Sequence, residues 1–285
     1  MDKFGRNYIL LVETQTHDTL TIKPPFTVEF DLTRNVLTSA NIASMRVYNL
    51  SQNNRNQIRK NMNDTADLRK VNLQAGYGNN LPIIFTGDIS QAWSVREGTN
   101  FITQIESFDG GFAFANGIYN NQFPSNTQQK TVITDMANSL PATTLGKIGN
   151  YSGSLSRGNA YSGSPADLLQ ELTNGGFFID NGKVNCLNLN ECFEGDLQVI
   201  DAADGLLGTP VREQTYLNFD MIFEPRLLIG QIIELKSGTD ANFNGFYKVV
   251  SIKHRGMISE TVSGSAITSV GLYAPLGSAQ LEVIS

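Results

Sequence analysis

Alternation of apolar and polar positions at period two dominates the first third of the chain, the signature of half-buried strands. Tyr8–Val12 opens the series, and Phe26-Thr27-Val28-Glu29-Phe30-Asp31-Leu32 alternates cleanly. Residues Ile42–Leu50 alternate in part. Strand character returns at Val71–Tyr77, Ile83–Ile89 and Phe101–Phe108, with Gly78-Asn79-Asn80 and Arg96–Asn100 as turns. One segment breaks the rhythm. Ser51 is placed to cap a short helix over Gln52–Asn61, whose main apolar contact is Ile58. So polar a helix needs outside support, and a position across a barrel end or at a subunit contact is expected. Strands with short turns and one helix predict a small antiparallel barrel or sandwich, closed by Asp109-Gly110-Gly111.

The middle changes period. Val132, Ile133, Met136, Ala137 and Leu140 fall on one face of a helix predicted over Gln128–Leu140. Residues 149–164, rich in Gly, Ser and Asn, read as a loop. Ser164-Pro165 supplies an N-cap and a first-turn proline for a helix over Ala166–Leu172, ended by Gly175. Phe177–Cys186 is a hairpin with Asn181-Gly182 at a type I′ turn. From Ala202 the strands resume, at Tyr216–Phe223, Gln231–Leu235 and Phe246–Ile252. The chain therefore reads as mainly β with a small α+β insert: a first β-barrel domain over 1–111, a middle domain over 112–197 and a second barrel over 198–285. Residue identity between the outer parts is negligible, so the repeat rests on pattern alone.

Composition narrows the function. The 285 residues are 40% hydrophobic but only 17% charged, below the ~25% usual in globular chains. With 21 basic and 27 acidic residues the net charge is −6, against binding duplex DNA through its phosphates. Mean hydropathy is −0.17, and no stretch approaches the ~20 apolar residues of a membrane helix. The start, Met1–Arg6, lacks the apolar core of a signal peptide, so synthesis in the cytosol is expected.

Candidate chemistry is sparse. His17 and His254 both read as solvated loop or strand-end residues. Cys186 and Cys192 stand six apart with no second pair, which does not fit a zinc site, so they read as free buried thiols. The carboxylates Asp88, Glu106, Asp109, Asp180, Glu191 and Glu194 form no pair marked by spacing. Gly76-Tyr77-Gly78 and Gly110-Gly111 match no phosphate-binding fingerprint. No catalytic, cofactor-binding or metal residue is assigned, and no enzyme or cofactor is expected.

Several ordered blocks carry a resemblance. Ala43–Ser51, the polar helix after it, Val71–Tyr77, Ile84–Ile89 and Ile102–Gly110 resemble the first tube-type domain of phage baseplate hub proteins. Gly205–Pro210, Pro225–Gln231 and Asn244–Gly256 are similar to the family's second tube domain. The resemblance implies a structural protein of the virion, in the tail baseplate of a contractile-tailed phage and assembled in the bacterial cytoplasm. It implies a homotrimeric, pseudo-sixfold ring that joins the hexameric tail tube, or its initiator ring, to a central spike among neighbouring baseplate proteins. DNA would pass through the lumen without sequence-specific contact. The fused lysozyme or peptidase of some relatives has no counterpart motif here. Two alternatives stay open: a tail-tube or tail-tip subunit, and a β-rich adhesin for host glycans, for which the lone Trp93 is poor support.

Overall fold

The computed structural model describes residues 4–36, 40–64, 67–238, 240–260, 262, 264–275 and 280–284. Met1–Lys3, part of the chain start considered above, lie outside them. The protein is mainly β, and among the described residues fourteen strands belong to one sheet.

The first strands are β1 (Arg6–Glu13), β2 (Thr19–Ile22), β3 (Val28–Asn35) and β4 (Ile42–Tyr48). After helix α1 (Gln52–Ile58) come β5 (Lys70–Tyr77), β6 (Ile83–Glu97) and β7 (Asn100–Phe108). Their spatial order is β3-β4-β7-β6-β5-β1-β2. Alternation explains the layering: in β3, Val28, Phe30 and Leu32 point into a first apolar core while Glu29, Asp31 and Thr33 face the other way. Helix α1 is shorter than predicted and stops at Ile58. Its Ser51 cap accepts the Asn54 N–H, and Ile58 is fully buried in the first core. The buried Arg69 explains the stop: its guanidinium donates to the Ile58 and Arg59 carbonyls at 3.3 and 2.9 Å. It also pairs with Asp67 at 2.8 Å.

The middle of the chain holds α2 (Gly111–Asn116), β8 (Tyr119–Phe123), α3 (Gln129–Asn138), β9 (Thr144–Ile148), β10 (Asn159–Gly163), α4 (Pro165–Leu172), β11 (Phe177–Asp180) and β12 (Lys183–Cys186). The predicted caps are present, with the Ser164 hydroxyl accepting the Asp167 N–H. Asn181 and Gly182 both take positive φ, 52° and 73°, as a type I′ turn requires. The segment 149–164 is not loop throughout: Asn159–Gly163 pairs with β8. Its polar side chains are half-exposed, so no apolar alternation announced it. A core around Ile133, Met136, Leu169 and Phe177 holds this part together.

The last strands are β13 (Glu191–Ile200), β14 (Leu206–Glu213), β15 (Tyr216–Ile222), β16 (Gln231–Leu235), β17 (Gly245–Ile258), β18 (Ala266–Tyr273) and β19 (Glu282–Val283). They surround another core, rich in Leu217, Phe219, Ile233, Val249 and Leu272. Five of them repeat the first set. The order β14-β15-β18-β17-β16 matches β3-β4-β7-β6-β5, and every neighbouring pair is antiparallel in both. Both long strands carry an extra residue against their partner at the same place, Ser90 in β6 and Val250 in β17. Aligned on this bulge, β4 and β15 coincide over seven residues, with buried positions 43, 45 and 47 on 217, 219 and 221. Position six differs: β1 pairs antiparallel with β5, whereas β13 runs parallel to β16.

The sets are joined edge to side. Val28–Asn35 of β3 pairs antiparallel with Ser251–Ile258 of β17, so one sheet runs through both. Phe223, Ile258 and Ala266 of the second set complete the first core. Replacing Ile58 by Ala is expected to lower the unfolding free energy by about 2–5 kcal/mol. Asn53→Ala on the exposed face of α1 should change it by less than about 0.5 kcal/mol. Urea denaturation of both variants checks this.

Candidate functional site

The register of eight neighbouring strands, β14-β15-β18-β17-β3-β4-β7-β6, builds one continuous polar face away from the cores. One row of paired positions runs Asp220, Ser269, Lys253, Thr33 and Ile42. Another runs Arg255, Asp31, Ser44, Glu106 and Gln91, and a third Met257, Glu29, Arg46, Gln104 and Trp93. Trp93 therefore stands half-buried within a polar wall.

Charges on this face are interleaved. Arg46 reaches Glu29 and Glu97, both at 3.2 Å, and Lys253 reaches Asp31 at 3.1 Å. Ser44 and Gln104 donate to Glu106 at 2.8 and 2.6 Å, and Ser269 donates to Asp220 at 2.6 Å. Six carboxylates (Glu29, Asp31, Glu97, Glu106, Glu213, Asp220) stand with three cations (Arg46, Lys253, Arg255), so the face is mildly acidic. Such a wall offers phosphates no array of free cations. A shallow groove of about 550 Å³ crosses its second half, lined by Thr33, Asn218, Asp220 and Lys253 among others.

Behind the face, where β3 meets β17, sits a buried polar joint. Arg34, 1% exposed, forms a two-pronged pair with Asp180 at 2.8 and 2.6 Å. Asp180 ends β11, so this bond ties the middle hairpin to the seam. The hairpin turn is held on other sides too. Asn41 donates to the Ile179 carbonyl, Asp109 accepts the Gly182 N–H, and Asn181 accepts the Thr86 N–H, each at 2.9 Å. Burial, then the neighbouring Asp180 charge, pushes the Asp109 carboxyl up to about 7. Two of the scattered carboxylates come together here. The joint is sealed from solvent, with Asp109 at 1% exposure, and its chemistry is structural.

The remaining sequence candidates separate. His17 lies exposed in a turn with φ 61°, as expected. His254 does not. It is fully buried, because Lys253 and Arg255 take the polar face and alternation turns the residue between them inward. The Thr268 hydroxyl, which accepts the Glu224 N–H, is hydrogen-bonded to His254 Nδ1 at 2.9 Å. The ring lies edge-on to Phe223 at 5.4 Å. Burial holds its pKa down at about 3, with the Arg34 charge contributing. Cys186 and Cys192 are buried free thiols, and burial pushes Cys186 up to about 12, unfit as a nucleophile. Glu191 accepts the Asn150 and Asn188 N–H groups at 2.6 and 2.7 Å. Asp88 accepts the Phe112 N–H at 2.9 Å. Glu106 belongs to the polar face, and Glu194 borders a separate cleft with Lys147 and Lys183. Among the described residues, no three His, Cys, Asp or Glu side chains gather as a metal site. Arg34 and the face itself escaped sequence reading, although Arg34 occupies an inward position of a cleanly alternating strand.

The fold that carries this wall is one shared with phage tail proteins. The model of the family described as Baseplate hub gp41 matches residues 9–256. The chain belongs to that family and is a structural component of the tail baseplate. No curated protein sequence matches. Among solved structures it is similar to the 43 kDa tail protein of prophage MuSo2 from Shewanella oneidensis, with TM-score 0.61 and 7% identity over 93% of this chain and 96% of that one. It is also similar to the tail protein from Neisseria meningitidis MC58, with TM-score 0.56 and 10% identity over 95% and 97%. A chain of the Francisella PdpA–VgrG complex matches with TM-score 0.53 and 10% identity, over 95% of this chain and 53% of that one.

Two outcomes follow from the buried groups. Asp180→Ala leaves the Arg34 charge unpaired and is expected to cost about 3–5 kcal/mol in a denaturation experiment. The neutral His254 contributes stability that is complete above its unfolded pKa near 6.5 and is lost as pH falls towards about 3. His254→Leu should therefore flatten the fall in unfolding free energy below pH 6.5 relative to the parent; an unchanged slope would contradict a buried neutral ring.

Proposed function

We propose that this baseplate protein is the hub ring that joins the tail tube to the central spike and continues the DNA channel. The reading divides the chain into a first tube-type domain over 1–111, a middle domain over 112–197 and a second tube-type domain over 198–285. Three copies then present six near-equivalent modules to a hexameric tube ring. The observation that carries this is the five-strand repeat with shared order, polarity and bulge.

The polar face lines the lumen in this reading. Its carboxylates repel phosphates, and two of its three cations, Arg46 and Lys253, are already paired with carboxylates, so DNA slides past without being held. The partners are other copies of the chain, the tube protein or its initiator ring above, the spike below and baseplate proteins around. The PdpA–VgrG complex, by its own name, is an assembly of a VgrG protein, and its fold likeness favours a spike-side partner here. The protein acts without catalysis or cofactor, in the virion after assembly in the bacterial cytoplasm.

A nonsense codon in this gene tests the reading against an adhesin. In this reading the hub seats the tube, so mutant lysates should contain heads without tails, and supplying the chain in trans should restore tails. Complete tails of normal length that fail only to adsorb would overturn it. In a zymogram the purified chain should clear neither peptidoglycan nor protein.

A further inference from the structure

The joint inside the chain uses two unlike surfaces: the outer edge of β3 and the second half of β17. Each module owns one copy of each surface. Under the repeat, β3 corresponds to β14 and β17 to β6. One of each is consumed within the chain, and one of each is left over. Among the described residues β14 pairs only with β15. On β6, Lys60 exchanges both backbone hydrogen bonds with Ala92, at 2.9 and 3.0 Å, and beyond that point β6 pairs only with β7. The two open surfaces are also apolar where they should meet: Val95 is 40% and Val211 59% exposed. Isolated valines on an open edge are an aggregation liability unless a partner covers them.

Resting on the hub reading above, we infer that β14 of one copy pairs antiparallel with the second half of β6 in the next copy, with Val211 opposite Val95. The register comes from the internal joint. The shared bulge sets Ile89 on Val249, and hence Val95 on Arg255. Through β7 and β18, Ser44 falls on Asn218; their partners are Asp31 and Val211. Arg255 pairs with Asp31 inside the chain, so Val95 pairs with Val211 between chains. Strand parity agrees. Ala92 points its backbone groups to the open edge, so Ser94 does too, and Ser94 faces Arg212 as the hydrogen-bonded pair. Val95 and Val211 then form a non-hydrogen-bonded pair, the closer kind, with Cα atoms about 4.5 Å apart. Pro210 has no N–H, so the ladder is anchored at Arg212 and cannot run intact far beyond Val211. The contact is head-to-tail, and repetition of the internal joint carries the polar face from copy to copy until the ring closes.

Cysteines test the register, because that Cα separation lies within disulfide range. Val95→Cys and Val211→Cys are combined in a chain with Cys186→Ala and Cys192→Ala, assembled under reducing conditions and then oxidised, both as purified chain and in tails. Linked species of two and three chains are expected, three being the limit, and neither single variant should give them. Val211→Asp should weaken self-association at least ~10-fold in sedimentation while leaving the thermal melt of the isolated chain unchanged. Three-copy particles that never cross-link, or that tolerate Val211→Asp, would overturn the strand pairing and leave the ring standing. A copy number other than three in assembled tails would overturn the ring itself.

Discussion

The pairing of β3 with β17 is the interaction on which the structure depends. It joins residues Val28–Asn35 to Ser251–Ile258, so more than two hundred residues are closed into a loop between them. Loop-closure entropy grows only slowly with length, which is why a whole α+β insert fits inside. The joint is made of backbone hydrogen bonds and asks little of particular side chains. That explains how the fold coincides with other tail proteins at 7–10% identity. What side-chain specificity it has is concentrated at Arg34 and Asp180, where a buried charge pair fixes the insert against the seam. A pair of this kind adds little net stability but penalises every arrangement that breaks it.

Polar groups elsewhere serve the same end. Glu191, Asp88 and Asp109, candidates for chemistry when seen as sequence, each accept backbone N–H groups at chain reversals. Arg69 does the converse for the carbonyls that end α1. The buried histidine is held neutral between Thr268 and Phe223. These ionisable residues therefore settle geometry, and others build the mildly acidic wall.

Much of the fold was legible because local physics decides it. Period-two alternation located β1, β3, β5 and β7, Ser164-Pro165 marked the start of α4, and Asn181-Gly182 marked the hairpin turn. Other elements were hidden for physical reasons. Strands β8 and β10 pair with each other and carry mostly polar side chains, and β14 is largely exposed, so none shows an apolar rhythm. The parallel run of β13 beside β16 is set by tertiary placement, and nothing local marks it. His254 lies between two charged neighbours that suggest exposure, although alternation turns it inward. The polar face could not be seen at all, because it exists only once the register of eight strands is known.

The repeat of modules is the central claim, and symmetry in the particle tests it most directly. A reconstruction of the tail tip without imposed symmetry should contain three copies of this chain. Their six modules should be related by near-sixty-degree rotations and stacked on a sixfold tube ring, with the wall of Glu29, Asp31, Glu106 and Asp220 facing the channel. Six copies in the ring, or three copies whose two modules occupy unrelated radial positions, would contradict the account.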